Sequence, residues 1–105
     1  MGDEKLMISE NQTGNDSVKF TLKGRINTES VTILKQKLDE ARNKRKKHII
    51  VNMQQVPFLS SGGIRVLLMY YKIMNAENGS FFVENPSENV QNVLGMTALE
   101  ELLLK

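Results

Sequence analysis

The residues best suited to chemistry are Ser60-Ser61-Gly62-Gly63, two hydroxyls followed by two positions without side chains. The apolar run in His48 to Met53 leads into them and a longer apolar stretch from Ile64 follows, so they stand between a strand and a helix. At a helix start the first backbone N–H groups have no partner inside the helix. A serine there can act as a cap, worth about 0.5–2 kcal/mol. It can also stand beside a bound phosphate or accept one covalently, because the helix start favours negative charge and glycines leave the backbone uncovered. On these four residues alone both readings stand.

Catalysis finds little support. No Gly-x-Ser-x-Gly elbow surrounds Ser60 or Ser61, and no lysine follows Gly63 to complete a phosphate-binding loop. Asp39-Glu40 and Glu100-Glu101 are sequence neighbours that point in different directions on a helix, a poor arrangement for an acid/base pair. There is no cysteine, which excludes disulfides, thiolate metal sites and a thiol nucleophile, and the single histidine, His48, cannot build a multi-histidine metal site. The expectation is a protein that is not an enzyme and carries no cofactor or metal.

The chain has 105 residues, enough for one domain, which the sequence reading places over 1–105. Its hydrophobic share of 40% and charged share of 25% are those of an ordinary globular chain. No apolar run approaches the roughly 18 residues of a membrane span, and Met1 to Lys5 lacks the pattern of a secretory signal, so a cytoplasmic protein without membrane insertion is expected. Net charge is +2, but five cations fall together in Arg42, Lys44, Arg45, Lys46 and Lys47; without them nine cations face twelve acids, a balance of −3. The cluster sits at the end of a predicted helix, where cations meet free carbonyls at about 0.3–1 kcal/mol each. No interleaved aromatic or RNA-binding signature accompanies it, so no direct nucleic-acid contact is expected.

The elements that position the serines follow from the spacing of apolar residues. Leu6, Ile8 and then Val18, Phe20 and Leu22 alternate on either side of a turn-forming loop from Asn11 to Ser17, which predicts two antiparallel strands, the second ended by Gly24. After Asn27 or Thr28 as N-cap, Val31, Leu34, Leu38 and Ala41 form one helical stripe as far as Asn43. Ile49-Ile50-Val51 lacks alternation, as expected of a strand covered on both sides or lying in the middle of a sheet. The second helix should run from Gly62 to Asn78, with Gly79 closing it. Arg65, Lys72 and Ala76 form its narrow polar arc, Met69 lies at the border of that arc, and flanking helices should cover the wide apolar remainder. Ser80 to Val83 predicts a strand, and Asn85-Pro86 a cap and first turn. Val90, Val93 and Leu94 form a third stripe ended by Gly95, while Leu99 to Leu104 fits a strand or a helical turn equally. This order implies an α/β domain with a mixed, mostly parallel sheet of four to five strands and helices packed on it.

His48 to Met53, then Val56-Pro57-Phe58-Leu59-Ser60-Ser61-Gly62-Gly63-Ile64-Arg65-Val66-Leu67-Leu68, with Gly24-Arg25-Ile26-Asn27 upstream and Asn85-Pro86-Ser87 downstream, resembles the STAS domain family, particularly the bacterial anti-sigma factor antagonists. Those proteins carry a pattern close to Phe-Met-Asp-Ser-Ser-Gly-Leu-Gly-Val-Leu. Ser61 falls on the phosphorylated serine and Gly63 on the glycine of that pattern. The sequence departs from it at Ser60, where Asp is usual, at Gly62, where Ser, Thr or Ala is usual, and at Asn27, where many have Asp. Ser60 therefore stands as a second acceptor.

The resemblance implies a phosphorylation-switched module that binds an anti-sigma factor serine kinase, is reset by a serine phosphatase and so regulates transcription. Asn27, Ser60, Ser61, Gly62, Gly63, Arg65 and Met69 form the implied partner surface, around a near-neutral helix start. The alternative within the family is an adaptor, for example a transporter subunit, that binds without modification. A homodimer is compatible with either.

Overall fold

A computed structural model describes residues 5–104. Four strands, β1 (Met7–Gly14), β2 (Ser17–Lys23), β3 (His48–Gln55) and β4 (Ser80–Glu84), form one sheet in the order β1-β2-β3-β4. β1 is antiparallel to β2, whereas β2, β3 and β4 run parallel. The connections carry helices α1 (Val31–Asn43) and α2 (Ser61–Ala76), and α3 (Glu88–Met96) and the short α4 (Glu100–Leu103) follow β4. The mixed sheet is the one expected, with four strands.

Alternate strand residues carry the core: Val18, Phe20 and Leu22 of β2, Ile49, Val51 and Met53 of β3, and Phe81 and Val83 of β4. They join Leu34 and Leu38 of α1, Leu67, Tyr70 and Met74 of α2, Val90 and Leu94 of α3 and Leu103 of α4 in one cluster. Each large apolar side chain fully buried there contributes about 1.5–3 kcal/mol. Ile50 and Asn52 alternate with the buried positions and remain half-buried, so the helices cover one face of the sheet. The unbroken apolar run in β3 thus reflects a middle strand, not a doubly covered one.

Several boundaries differ from expectation for local physical reasons. The loop expected from Asn11 to Ser17 is mostly strand: β1 pairs with β2 as far as Gly14, with a register shift after Gln12, and only Asn15-Asp16 turns. Tertiary bonds hold this hairpin, since the Asp16 carbonyl accepts from Lys47 N at 2.7 Å and His48 N at 3.0 Å. α1 becomes regular at Val31, but Asn27 does cap the preceding turn, its Oδ1 accepting from Glu29 N at 3.0 Å and Ser30 N at 2.9 Å.

α2 spans Ser61–Ala76, shifted towards the N-terminus from the expected Gly62 to Asn78. Its exit passes through Asn78, whose φ of 62° takes the left-handed role expected of Gly79. Gly79 is required for another reason: a Cβ there would collide with the Lys47 carbonyl oxygen. α3 is capped by Ser87, whose Oγ accepts from Val90 N at 3.2 Å, not by Asn85, which has φ 49° before Pro86. Gly95 stays inside α3, and Ala98, at φ 59°, makes the turn beyond it. The two readings of Leu99 to Leu104 both contain a part of the truth: Glu100–Leu103 is helical and Leu104 then bridges Val83 in parallel.

Candidate functional site

Ser60 and Ser61 are delivered by a loop held from several sides. Ile26, in the connection between β2 and α1, donates its N–H to the Phe58 carbonyl at 2.9 Å and accepts from Ser60 N at 2.9 Å, so two loops run side by side. Ser87 Oγ donates to the Val56 carbonyl at 2.6 Å, and Asn89 Nδ2 to the Pro57 carbonyl at 2.8 Å. On the Ile26 side, Ser30 Oγ donates to the Arg25 carbonyl at 2.7 Å and accepts from Asn27 N at 2.9 Å. With these backbone groups satisfied the turn into α2 has little freedom, as a recognition site requires.

The two serines do different work. Ser60 is the N-cap of α2, in extended conformation, with Oγ accepting from Gly63 N at 3.1 Å. Ser61, the first helical residue, is exposed and its hydroxyl has no hydrogen bond among the described residues. The capping and acceptor readings of the sequence therefore divide between neighbours. The next two positions differ as well. A Cβ on Gly63 would lie 2.6 Å from Leu59 Cδ1 and 2.9 Å from Ile26 Cγ2, so this glycine lets α2 sit against both loops. A Cβ on Gly62 would meet only Ser60 Oγ, at 3.7 Å, an ordinary contact.

Arg65 is exposed one helical turn beyond Ser61, and Met69 a turn further at 36% exposure. Asn27 is half-buried, its side-chain oxygen occupied by the turn before α1, which makes it a positioning residue for the Ile26 side of the site. The structure thus gathers Asn27, Ser60, Ser61, Gly62, Gly63 and Arg65 at one edge, with Met69 along the same helix face. Arg25 and Arg65 stand exposed beside the site, Glu29 lies on the same loop as Asn27, and the first turn of α2 has no acidic residue.

Sequence reading did not single out Arg25, Phe58, Ser30, Ser87 or Asn89. The Arg25 guanidinium carbon lies 4.5 Å from the centroid of the Phe58 ring, and Phe58 is 38% exposed. An aromatic next to a proline in a loop was the available signal. Ser87 and Asn89 act on backbone carbonyls distant in sequence and left no pattern to find, whereas Ser30 bonds the Arg25 carbonyl five residues earlier.

Further along, α2 is anchored to α1. Tyr70 Oη donates to Asp39 Oδ1, and this hydrogen bond, with Lys35 alongside, holds the Asp39 carboxyl below its ordinary range. Burial and the Asp39 carboxylate push the Tyr70 phenol up. Arg42 donates to Glu77 Oε2 at 2.6 Å, which raises its guanidinium further. Among the described residues no group of three acidic or histidine side chains could hold a metal, and no helix is long and apolar enough to cross a membrane.

A strand leading through a pinned loop to an exposed serine at a helix start, on a sheet covered on one face, defines a class of small α/β domain. The STAS domain family model matches residues 8–105, and the chain belongs to that family. An anti-sigma F factor antagonist of Paenibacillus polymyxa is 26% identical over 83 residues, 78% of this chain and 71% of the relative. The fold is shared with the unphosphorylated anti-sigma factor antagonist SpoIIAA, at a TM-score of 0.81 and 21% identity over 93% of this chain and 86% of that one. It is shared also with an anti-sigma factor antagonist from Mycobacterium paratuberculosis, at a TM-score of 0.82 and 16% identity over 94% and 83% of the two chains.

Proposed function

We propose that this protein is an anti-sigma factor antagonist, a regulatory binding module and not an enzyme, switched by phosphorylation of Ser61. The observation that carries the reading is the division of labour at the start of α2, where Ser60 is engaged as the cap and Ser61 presents an unengaged hydroxyl to solvent. The anti-sigma F factor antagonist among its relatives and the family match support the choice of partner.

In this mechanism the unmodified protein docks on a serine-kinase anti-sigma factor through the edge formed by Ser61, Arg65 and the Arg25–Phe58 stack, and the sigma factor is released. The kinase transfers the γ-phosphoryl group of ATP to Ser61 Oγ. An O–P bond forms as the bond to ADP breaks, and the hydroxyl proton leaves. A serine phosphatase restores the hydroxyl with water and releases inorganic phosphate.

The modification adds about −1.5 to −2 charges where the first turn had none, at a helix end that tolerates them. A mismatch of about 2.7 kcal/mol at the docked interface lowers affinity about a hundredfold without refolding. The test is the affinity of the purified serine-kinase anti-sigma factor for wild-type protein and for Ser61→Asp and Ser61→Ala. A roughly hundredfold loss for Ser61→Asp, with Ser61→Ala retaining binding, is expected. Equal binding of Ser61→Asp and wild type favours instead the adaptor that needs no modification.

A further inference from the structure

We infer that Arg65 is the intramolecular counter-ion of phosphorylated Ser61, so that the switch withdraws a cation from the docking edge as well as adding negative charge there. The inference rests on Ser61 being the modified residue and concerns what the modified side chain touches.

Ser61 and Arg65 are four residues apart in α2, the spacing at which helical side chains are neighbours, with the acidic partner on the favourable N-terminal side. Both are exposed, so neither must be desolvated to meet. Arg65 has no ion pair among the described residues. Its helical neighbours at the same spacing are Ser61, Gly62, Leu68 and Met69, none of them acidic, and Gly62 places no side chain on this turn. A phosphate on Ser61 would thus be the one anion among the helical neighbours of Arg65, and a guanidinium fork matches phosphate oxygens well. Arg25, the other nearby cation, lies on the Phe58 ring and serves as an internal control.

The test installs phosphoserine at position 61 during synthesis, so it does not depend on any kinase; failure of a kinase to modify Ser61 defeats the functional reading and leaves this measurement untouched. The second ionisation of the phosphate, near pH 6 when unperturbed, is followed by phosphorus NMR. A nearby guanidinium favours the dianion. The expected result is a pKa lower by about half a unit in wild type than in Arg65→Gln at low salt. Arg65→Lys is expected to retain part of the shift and Arg25→Gln nearly all of it, and the difference should shrink at about 0.5 M salt. Superimposable titrations of wild type and Arg65→Gln at low salt overturn the inference, as does an equal effect from Arg25→Gln.

Discussion

The end of α1 and the start of α2 both attract notice in the sequence, one for its five cations and the other for its two serines, and the structure treats them in opposite ways. At the end of α1 the charged groups are largely engaged within the molecule. Arg42 pairs with Glu77 at 2.6 Å, Lys47 Nζ reaches the Glu77 carbonyl at 3.5 Å, and Lys46, only 8% exposed, donates to the Asn15 carbonyl at 2.9 Å and to Gln12 Oε1 at 3.4 Å. At the start of α2 hydrogen bonds to Val56, Pro57, Phe58 and Ser60 hold the loop backbone, while Ser61 and Arg65 are exposed and have no side-chain hydrogen bond or ion pair among the described residues. A conspicuous run of charge can be internal architecture, and a small hydroxyl can be the group left available. What separates them is whether the polar atom already has a partner.

That contrast can be broken most sharply at Lys46. Lys46→Ala removes two hydrogen bonds from a buried ammonium together with the packing of its stem, and should cost about 2–3 kcal/mol in urea denaturation. Lys44→Ala should stay within about 0.5 kcal/mol. A loss at Lys46 as small as that at Lys44 would return the cluster to the status of a free basic surface.

A second test lies in the contact that joins the two helices. Tyr70→Phe should cost about 1.5 kcal/mol at neutral pH, since the hydrogen bond to Asp39 is charge-assisted. The pH profile carries the sign. The Asp39 pKa is lowered from 3.8 by folding, so its contribution is present above that value and fades as pH falls through the folded one. The Tyr70 pKa is raised from 10.0, so its contribution is complete below that value and fades as pH rises through the folded one. Denaturation midpoints of Tyr70→Phe should therefore draw closer to those of wild type at both ends of a titration that runs from well below pH 3.8 to well above pH 10.0, and differ most between those two values. A constant difference across that range would show that the hydrogen bond is not what the substitution removed.

The smallest effects compare the serines. Ser60→Ala should lose about 1 kcal/mol as a missing N-cap, and Ser61→Ala no more than about 0.5 kcal/mol. Equal losses would mean that the two hydroxyls share the capping work and that Ser61 is not the free one.

Most of the architecture was readable beforehand because it rests on periodicity: alternation in Val18, Phe20 and Leu22, and the stripe of Leu34, Leu38 and Ala41, are direct records of which side faces the core. Connections were read less well. Asn78, Asn85 and Ala98 adopt left-handed backbone where glycine, or none, was expected, and the tight approach that reserves Gly79 involves Lys47, more than thirty positions earlier. The serine pair stood out, but its division into cap and free hydroxyl depends on a hydrogen bond from Gly63 N that neighbouring serines could each have made. The Arg25–Phe58 stack and the clasps of Ser87 and Asn89 are contacts between distant segments, which no local spacing records.

The affinity of the protein for the serine-kinase anti-sigma factor before and after phosphoryl transfer tests the proposed role of Ser61 most directly. Incubation with kinase and ATP should add one phosphate to wild-type protein, none to Ser61→Ala and one to Ser60→Ala, and the phosphorylated protein should bind about a hundredfold more weakly than the unmodified one. A phosphate that still appears on Ser61→Ala, or a singly phosphorylated protein that binds as tightly as before, would contradict it.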